Sequence, residues 1–211
     1  MYFFINNEFL YTPILNEDTI LMAILPIITF PDKILRKKAR KIKTIDKSIK
    51  SLSYDMLDTM NDAGGIGLAA NQVGVLKRLI VVQIPEEEEP RIYINPEIIY
   101  REGSRLVEEG CLSVPGFVGT VERSIWVKFR ALNLESKTVR IKADSLLAQV
   151  LEHEVDHLNG ILYMDHLSEH EKLRPISEEE YSSTLRPTQK LNQADDLTVF
   201  HSHSESEINP C

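Results

Sequence analysis

The segment DSLLAQVLEHEVDHLNG, residues 144–160, guides the interpretation of the whole chain. Asp144 can cap the start of a helix and Gly160 is well placed just past its end, so the segment predicts a helix over Ser145–Asn159. Weaker strand patterns come before this helix along the chain. Strands first, followed by one strong late helix, indicate the α+β class.

The same helix contains HEVDH, residues 153–157, which is the motif with the clearest chemistry. Its two histidines are four residues apart and therefore share one helix face. Two imidazoles so placed can chelate one metal ion, and Glu154 between them can act on a metal-bound water. Leu146 and Val150 extend that face, which places the histidines at a partly buried position. Two surface histidines by chance are the plain alternative, and the spacing disfavours it.

A catalytic metal site usually has three protein ligands and one open position, so a third ligand is needed. A metzincin would place a histidine where this chain has Tyr163. A gluzincin would use a downstream acid, and Glu169 and Glu171 are available but weakly placed. Cys111 is the best remaining candidate because a thiolate is a strong ligand. A lone cysteine is more often a small buried hydrophobe, but the neighbours of Cys111 are charged and polar.

The segment GIGLAANQ, residues 65–72, is a third feature. A bare G-x-G is weak evidence, and the Gly-Lys-Ser/Thr of a phosphate-binding loop does not follow it. The plain interpretation is a helix stop and a turn. The functional interpretation is a backbone that a ligand can approach closely.

Other segments predict the elements around the late helix. Ser48–Asn61 has apolar residues at helical spacing and is stopped by the glycines that follow. Trp126–Leu132 and Thr138–Ala143 suggest an antiparallel pair with a turn near residues 135–136. Three short apolar runs predict further strands: Leu79–Ile84, Arg91–Asn95 and Ile98–Glu102.

Length and charge exclude several classes of protein. The 211 residues favour one domain, and the formal net charge of −8 argues against an electrostatically driven nucleic-acid binder. The acidity is uneven along the chain. Seven acids and two bases follow Arg174, a sum of −5, which leaves −3 for the remainder.

Cysteine content and the N-terminus indicate the compartment. Two cysteines, one of them the terminal residue, rule out a disulfide scaffold. The apolar run Ile20–Phe30 holds eleven residues and contains Pro26, too short for a membrane helix. No Lys or Arg precedes Lys33, so the basic region of a secretory signal is missing. These features predict a cytoplasmic protein without a membrane span.

GIGLAANQ at 65–72, EGCLS at 109–113 and HEVDH at 153–157, in this order and at these separations, resemble peptide deformylase. The resemblance extends from about Met22 to about Arg174. It implies the deformylase α+β fold, with antiparallel sheets around a central helix that carries both histidines.

The resemblance also implies a ligand set and a reaction. Cys111, His153 and His157 would hold one metal ion, usually Fe²⁺ in the family, and Ni²⁺, Co²⁺ or Zn²⁺ can occupy the site. The reaction would remove the formyl group from the N-terminal methionine of newly made proteins and release formate. Glu109 and Arg123 are expected to form an ion pair that supports the Cys111 strand.

Roles for other residues follow from the same resemblance. Glu154 would take a proton from the metal-bound water and return it to the departing amine. The Gln72 side-chain amide and the Leu112 backbone N–H would stabilise the oxyanion. Backbone groups that contact an extended peptide would come from Ile66, Gly67 and Gly110. The apolar pocket for the methionine side chain would be lined by Ile66, Leu146 and Val150.

The resemblance divides the chain into an N-terminal extension at 1–21, a catalytic domain at 22–175 and a polar, acidic tail at 176–211. The tail is expected to be mobile and could contact the ribosome transiently. The expected partners are N-formyl-methionine nascent polypeptides, with no direct nucleic-acid specificity and no membrane.

Two alternatives remain open. A zinc endopeptidase of the HExxH type is the runner-up, although Tyr163 stands where it would need a ligand. A non-catalytic domain with a structural metal is the third reading. Structural zinc sites usually have four protein ligands, and the sequence offers three good ones beside Glu154.

Overall fold

The computed structural model describes residues 23–85, 87, 89–167 and 173–177. These residues form two antiparallel sheets and two α-helices, so the predicted α+β class is confirmed. The helices are α1 (Lys47–Asp62) and α2 (Ser145–Asn159). The strands are β1 (Gly67–Ala69), β2 (Leu79–Val82), β3 (Arg91–Glu102), β4 (Arg105–Cys111), β5 (Val114–Arg123), β6 (Trp126–Leu132), β7 (Thr138–Asp144) and β8 (Arg174–Pro175).

The five-stranded sheet, in the order β1-β2-β3-β6-β7, separates two hydrophobic cores. All four residues of β2 are buried because alternate side chains enter opposite cores. Ile80 and Val82 pack in the core that contains α2, whereas Leu79 and Val81 pack in the core that contains α1. The central helix α2 is therefore held against one face of a sheet whose other face is also covered.

Helix α1 has the predicted extent within one residue at each end. The Asp46 carboxylate accepts the Ile49 N–H at 3.1 Å, which caps the first turn. Ile49, Met56 and Met60 are buried on one face of the helix. The glycines that follow lead the chain from α1 to β1, and β1 enters the sheet at Gly67.

Two local predictions need correction. Asp144 occupies the residue before α2, but its side chain makes no capping hydrogen bond. Arg91–Glu102 is one continuous strand, not two strands around a turn, with register shifts between Ile94 and Glu97 and between Ile98 and Tyr100. The strand continues because β2 and β6 pair with it on both sides.

The end of α2 is as predicted. Gly160 has a φ of 78° and its N–H donates to the His157 carbonyl at 2.9 Å. A β-carbon at Gly160 would also lie only 2.7 Å from the Arg36 carbonyl carbon. Both the left-handed backbone and the close packing of residue 36 therefore require glycine at this position.

The second sheet, in the order β4-β5-β8, supplies the third predicted ligand. β4 and β5 form a hairpin whose register shifts between Gly110 and Cys111, so Cys111 pairs with Val114 at the tight end. Ile176 donates its N–H to the Gly116 carbonyl at 3.0 Å and continues the packing of β8 beside β5. Neither described helix has the length and hydropathy that a bilayer crossing requires. The predicted extension at 1–21 and the tail beyond 177 lie outside the described residues.

Candidate metal centre and active site

The three predicted ligands come together between α2 and the end of β4. Cys111 Sγ lies 3.1 Å from His157 Nε2, and the Nε2 atoms of His157 and His153 are 3.2 Å apart. All three ligand atoms lie within 4.8 Å of one another. Bonds of about 2.0–2.3 Å at tetrahedral angles separate ligand atoms by roughly 3.4 Å. The donor set and its spacing therefore fit one divalent transition-metal ion.

The turn after Cys111 orients its sulfur. The backbone N–H of Ser113 points at Sγ at 3.4 Å, and the Gln72 side-chain amide nitrogen lies 3.7 Å from it. N–H groups directed at sulfur favour the thiolate over the thiol, because they stabilise negative charge. Among the described residues, the group that could hold a metal contains these three ligands and no fourth, which argues against a closed structural site.

A buried ionic network fixes the first histidine. Glu109 Oε2 lies 2.9 Å from His153 Nδ1, which turns Nε2 toward the other ligands. Arg123 donates to both Glu109 oxygens at 2.8 and 3.0 Å, so the predicted ion pair is confirmed. Although burial acts to raise it, hydrogen bonds from His153 and Arg123 lower the pKa of Glu109 to about 2. Glu109 is therefore a charged acceptor for the His153 ring.

The network continues beyond the predicted pair. Arg123 Nη1 lies 2.6 Å from Asp156 Oδ2, and His166 Nε2 lies 2.8 Å from the same oxygen. Sequence reasoning treated Asp156 only as a spacer within the motif. The missed signal is a charged residue on a helix whose neighbours on both sides are buried, since buried charges are normally paired.

Glu154 lies beside the ligands and is only 3% exposed. Its Oε2 atom is buried without a hydrogen-bond partner among the described residues. Burial raises the pKa of Glu154 to about 7, with the neighbouring His153 acting against that rise. A β-carbon at Gly67 would lie 3.0 Å from the Glu154 carboxyl carbon, so β1 passes directly against this carboxylate.

Gln72 is oriented by its own backbone neighbours. The Ala69 N–H donates to Gln72 Oε1 at 2.7 Å, which leaves the amide nitrogen facing Ser113 Oγ at 3.2 Å and the Cys111 sulfur. The flip of this amide is thus determined by a backbone donor. Leu112, the other predicted oxyanion donor, lines the same cleft.

A cleft of about 530 Å³ opens over these groups. Every predicted substrate-binding residue lines it: Ile66, Gly67, Gly110, Leu146 and Val150. Gln149, Phe117 and Ile176 also line it. The structure thus brings the predicted ligands, the acid, the donors and the pocket residues to one place.

Tyr163 is a part of the site that sequence reasoning did not assign. Its ring is stacked against His153 with centroids 6.2 Å apart, and its hydroxyl donates to the Phe117 carbonyl at 3.1 Å. Position 163 thus supports the His153 ring and does not supply a ligand. The downstream acids at 169 and 171 lie outside the described residues.

Comparison with known proteins agrees with this geometry. The family model for polypeptide deformylase matches residues 24–173. A peptide deformylase of Dehalococcoides mccartyi is 50% identical over 155 residues, which are 74% of this chain and 93% of that protein. One of Thermomicrobium roseum is 47% identical over 166 residues, which are 75% of this chain and 94% of that protein.

Solved structures of similar fold have the same name. A peptide deformylase from Legionella pneumophila matches 84% of this chain and 99% of its own, with a TM-score of 0.67 and 40% identity. A peptide deformylase from Acinetobacter baumannii with bound Met-Ala-Ser matches 70% of this chain and 100% of its own, with a TM-score of 0.67 and 34% identity. The chain therefore belongs to the polypeptide deformylase family, metal-dependent hydrolases that remove the formyl group from the N-terminal methionine of newly made proteins.

Proposed function

We propose that Cys111, His153 and His157 hold one divalent metal ion and that Glu154 is the general base and general acid of the deformylation. The observation that carries this proposal is the convergence of three ligand atoms within 4.8 Å beside a buried carboxylate oxygen that lacks a protein partner. A water molecule or a substrate amine is the natural partner for that oxygen.

Fe²⁺ is the proposed ion, since it is the usual metal of the family that the three motifs resemble. The ligand set also accepts Ni²⁺, Co²⁺ or Zn²⁺. When bound, the ion supplies a Lewis acid that polarises the formyl carbonyl and acidifies water. One thiolate and two neutral imidazoles leave a divalent ion with a net charge of only +1, so the protein's own hydrogen-bond donors must contribute strongly.

Glu154 moves the proton in both halves of the reaction. It takes a proton from the attacking water as the new bond forms between the water oxygen and the formyl carbon. It then gives that proton to the methionine nitrogen as the C–N bond breaks. The products are formate and a free amino terminus, so the carboxylate is regenerated in the state in which it began.

The Gln72 amide and the Leu112 backbone N–H are proposed to stabilise the negative charge on the former carbonyl oxygen. The Ala69 contact supports this role for Gln72, because it fixes which side of the amide faces the cleft. A preoriented donor costs no reorganisation when charge develops.

The substrate is proposed to lie extended against backbone groups of Ile66, Gly67 and Gly110, in the manner of an added strand. Its methionine side chain would enter the apolar pocket of Ile66, Leu146 and Val150. The cleft that these residues line supports this placement, as does the Met-Ala-Ser bound to the Acinetobacter baumannii relative.

We further propose that residues 22–175 are the catalytic domain, flanked by an extension at 1–21 and a tail at 176–211. The cytoplasm is the proposed compartment. It contains newly made proteins, and it keeps the thiol of Cys111 reduced. A transient ribosome contact would bring the enzyme close to those proteins.

The test is formate release from formyl-Met-Ala-Ser by protein purified without oxygen and loaded with Fe²⁺ or Ni²⁺. Glu154→Ala should abolish release while metal content stays at one ion per chain. Glu108→Ala is the matched control, because Glu108 lines the same cleft and pairs with Arg174. Release by Glu154→Ala at the rate of the wild type would contradict the assigned role.

The endopeptidase alternative is separated by Cys111→Ser. We expect this variant to lose the metal, since the site then keeps only the two histidines. Retention of metal in the variant, together with cleavage of internal peptide bonds by the wild type, would favour the endopeptidase.

A further inference from the structure

Residues 33–50 concentrate positive charge in a chain that is acidic as a whole. These eighteen residues contain nine Lys or Arg and one acid, although the formal net charge of the protein is −8. All nine basic side chains are exposed. Overall charge therefore hides a strongly basic surface.

Much of this charge has no compensating partner. Arg36 pairs with Asp165 and Lys41 pairs with Glu97. The only acid in the segment, Asp46, is occupied in capping α1. Four cations of the segment make no ion pair within the part of the chain that the structure describes: Lys37, Lys38, Arg40 and Lys43.

The segment is held in place by backbone contacts. Asn95 accepts the Ile42 N–H at 2.8 Å and donates to the Ile42 carbonyl at 2.9 Å. The Ala39 N–H donates to the Leu158 carbonyl at 2.9 Å, at the end of α2. The cations therefore project from an ordered backbone, which reduces the entropy lost when they bind a partner.

Glu97 joins the segment to a second basic region on the sheet. It lies 2.7 Å from Lys41 Nζ and 2.5 Å from Arg130 Nη2. Arg130 on β6 is directly opposite Arg140 on β7. The next exposed pair along the same strands is Lys128 opposite Lys142. Like charges directly opposite each other cost stability, so the fold gains nothing from this arrangement.

Aromatic rings flank these lysines. Lys142 Nζ lies 4.0 Å from the centre of the Trp126 ring, and Lys128 Nζ lies 5.3 Å from that of Tyr100, which is 48% exposed. Basic side chains interspersed with exposed rings are typical of surfaces that bind nucleic acid through phosphates and stacking.

We propose that this surface, here called the basic face, binds the phosphate backbone of RNA. The basic face consists of Lys37, Lys38, Arg40, Lys43, Lys128, Arg130, Arg140 and Lys142. Phosphate contacts carry no base information, so binding is independent of sequence. The biological reason rests on the proposed function: newly made proteins leave a particle whose surface is largely RNA, and the basic face would hold the enzyme near it.

The test measures binding of the full-length protein to a fluorescein-labelled oligouridylate by anisotropy as salt rises. About five phosphate contacts predict a slope near −3.5 for log K against log salt between about 50 and 200 mM. Replacing Lys37, Lys38 and Lys43 together with Gln should reduce that slope by about 2 and weaken binding at least about tenfold at the lowest salt. Lys128→Gln with Arg140→Gln should reduce it by about 1.

The matched control replaces Lys37, Lys38 and Lys43 with Arg, which keeps the charge and should keep the binding. Equal binding by the Gln and wild-type proteins, or no binding by the wild type at low salt, would overturn the proposal. Binding to polyglutamate as tight as to the RNA would also overturn it and indicate an acidic protein partner.

Activity on formyl-Met-Ala-Ser is measured on the same samples and should be unchanged in every variant, since none of these residues lines the cleft. RNA binding and deformylation are thus read separately. Loss of one result would leave the other standing.

Discussion

Gly67 lies directly against the carboxylate of Glu154. A β-carbon at Gly67 would lie 3.0 Å from the Glu154 carboxyl carbon and 2.9 Å from Val150 Cγ1, closer than real β-carbons approach such atoms. The first strand of the large sheet and the metal-binding helix are thus packed so tightly that only glycine fits between them. The glycine is required by the position of the proposed acid, as well as by any peptide that lies along the strand.

Gly67→Ala should therefore lower kcat by about a hundredfold, because a displacement of the carboxylate by about 1 Å is enough for such a loss. Metal content should stay at one ion per chain, since the three ligands are not displaced directly. The double variant with Glu154→Asp provides the check. A shorter acid relieves the contact, so the two losses should combine to less than their product. Additive losses would mean that Gly67 acts only through the substrate.

Gln72→Leu should lower kcat by about 10²–10³-fold, the usual cost of removing one oxyanion donor. The side chain is 1% exposed and its orientation depends on the Ala69 N–H, so the Leu variant also loses that buried contact. Stability is therefore measured beside steady-state kinetics. Gln149→Leu, at the same cleft, is the control and should keep most of the activity. Wild-type turnover by folded Gln72→Leu would count against the donor role.

Glu109→Gln should weaken metal binding by about 10–100-fold, as is typical when the acceptor behind a ligating histidine is changed. The amide cannot supply the charge that faces both His153 Nδ1 and Arg123. Competition against a chelator measures the affinity, and Glu122→Gln on the neighbouring strand is the control. Unchanged affinity would show that the ion pair supports the strand alone.

Local patterns predicted the parts of the fold that are set locally. Helix α2 has apolar periodicity, a glycine stop and both histidines within one segment, so its extent and chemistry could be inferred together. The hairpin of β4 and β5 was not predicted as strands. Its alternation is interrupted at Gly110 and Cys111 by the register shift and again by Pro115-Gly116.

Long-range features could not be read from spacing. Asn95-Pro96 has the composition of a turn, yet pairing with two neighbouring strands carries the chain through it as one strand. Arg123 meets Asp156 only after the sheet has packed on the helix. Net charge argued against electrostatic binding of nucleic acid because it averages a basic segment with an acidic tail. The distribution of charge on the folded surface is the more informative quantity.

Glu97 provides a test of electrostatics away from the metal. Hydrogen bonds from Lys41 and Arg130 lower its pKa to about 2, against an ordinary value of 4.5. A lowered pKa contributes stability above the ordinary value, and this contribution is lost as pH falls toward 2. Glu97→Gln should reduce the free energy of unfolding at pH 7 by about 1 kcal/mol after allowance for solvent screening. Urea unfolding at several pH values should show the difference shrinking below about pH 4.5. A difference that persists to pH 2 would assign it to packing.

The same variant makes an opposite prediction for the basic face. Glu97→Gln removes the one negative charge between Lys41 and Arg130, and both cations then become free to contact phosphate. We expect RNA binding to strengthen about threefold at low salt and its salt slope to steepen by about 1, while the protein becomes less stable. A destabilising change that improves binding cannot be explained by loss of structure. Weaker binding by Glu97→Gln would instead mean that the Lys41–Glu97–Arg130 contact maintains the surface, and that Lys41 and Arg130 do not bind the backbone themselves.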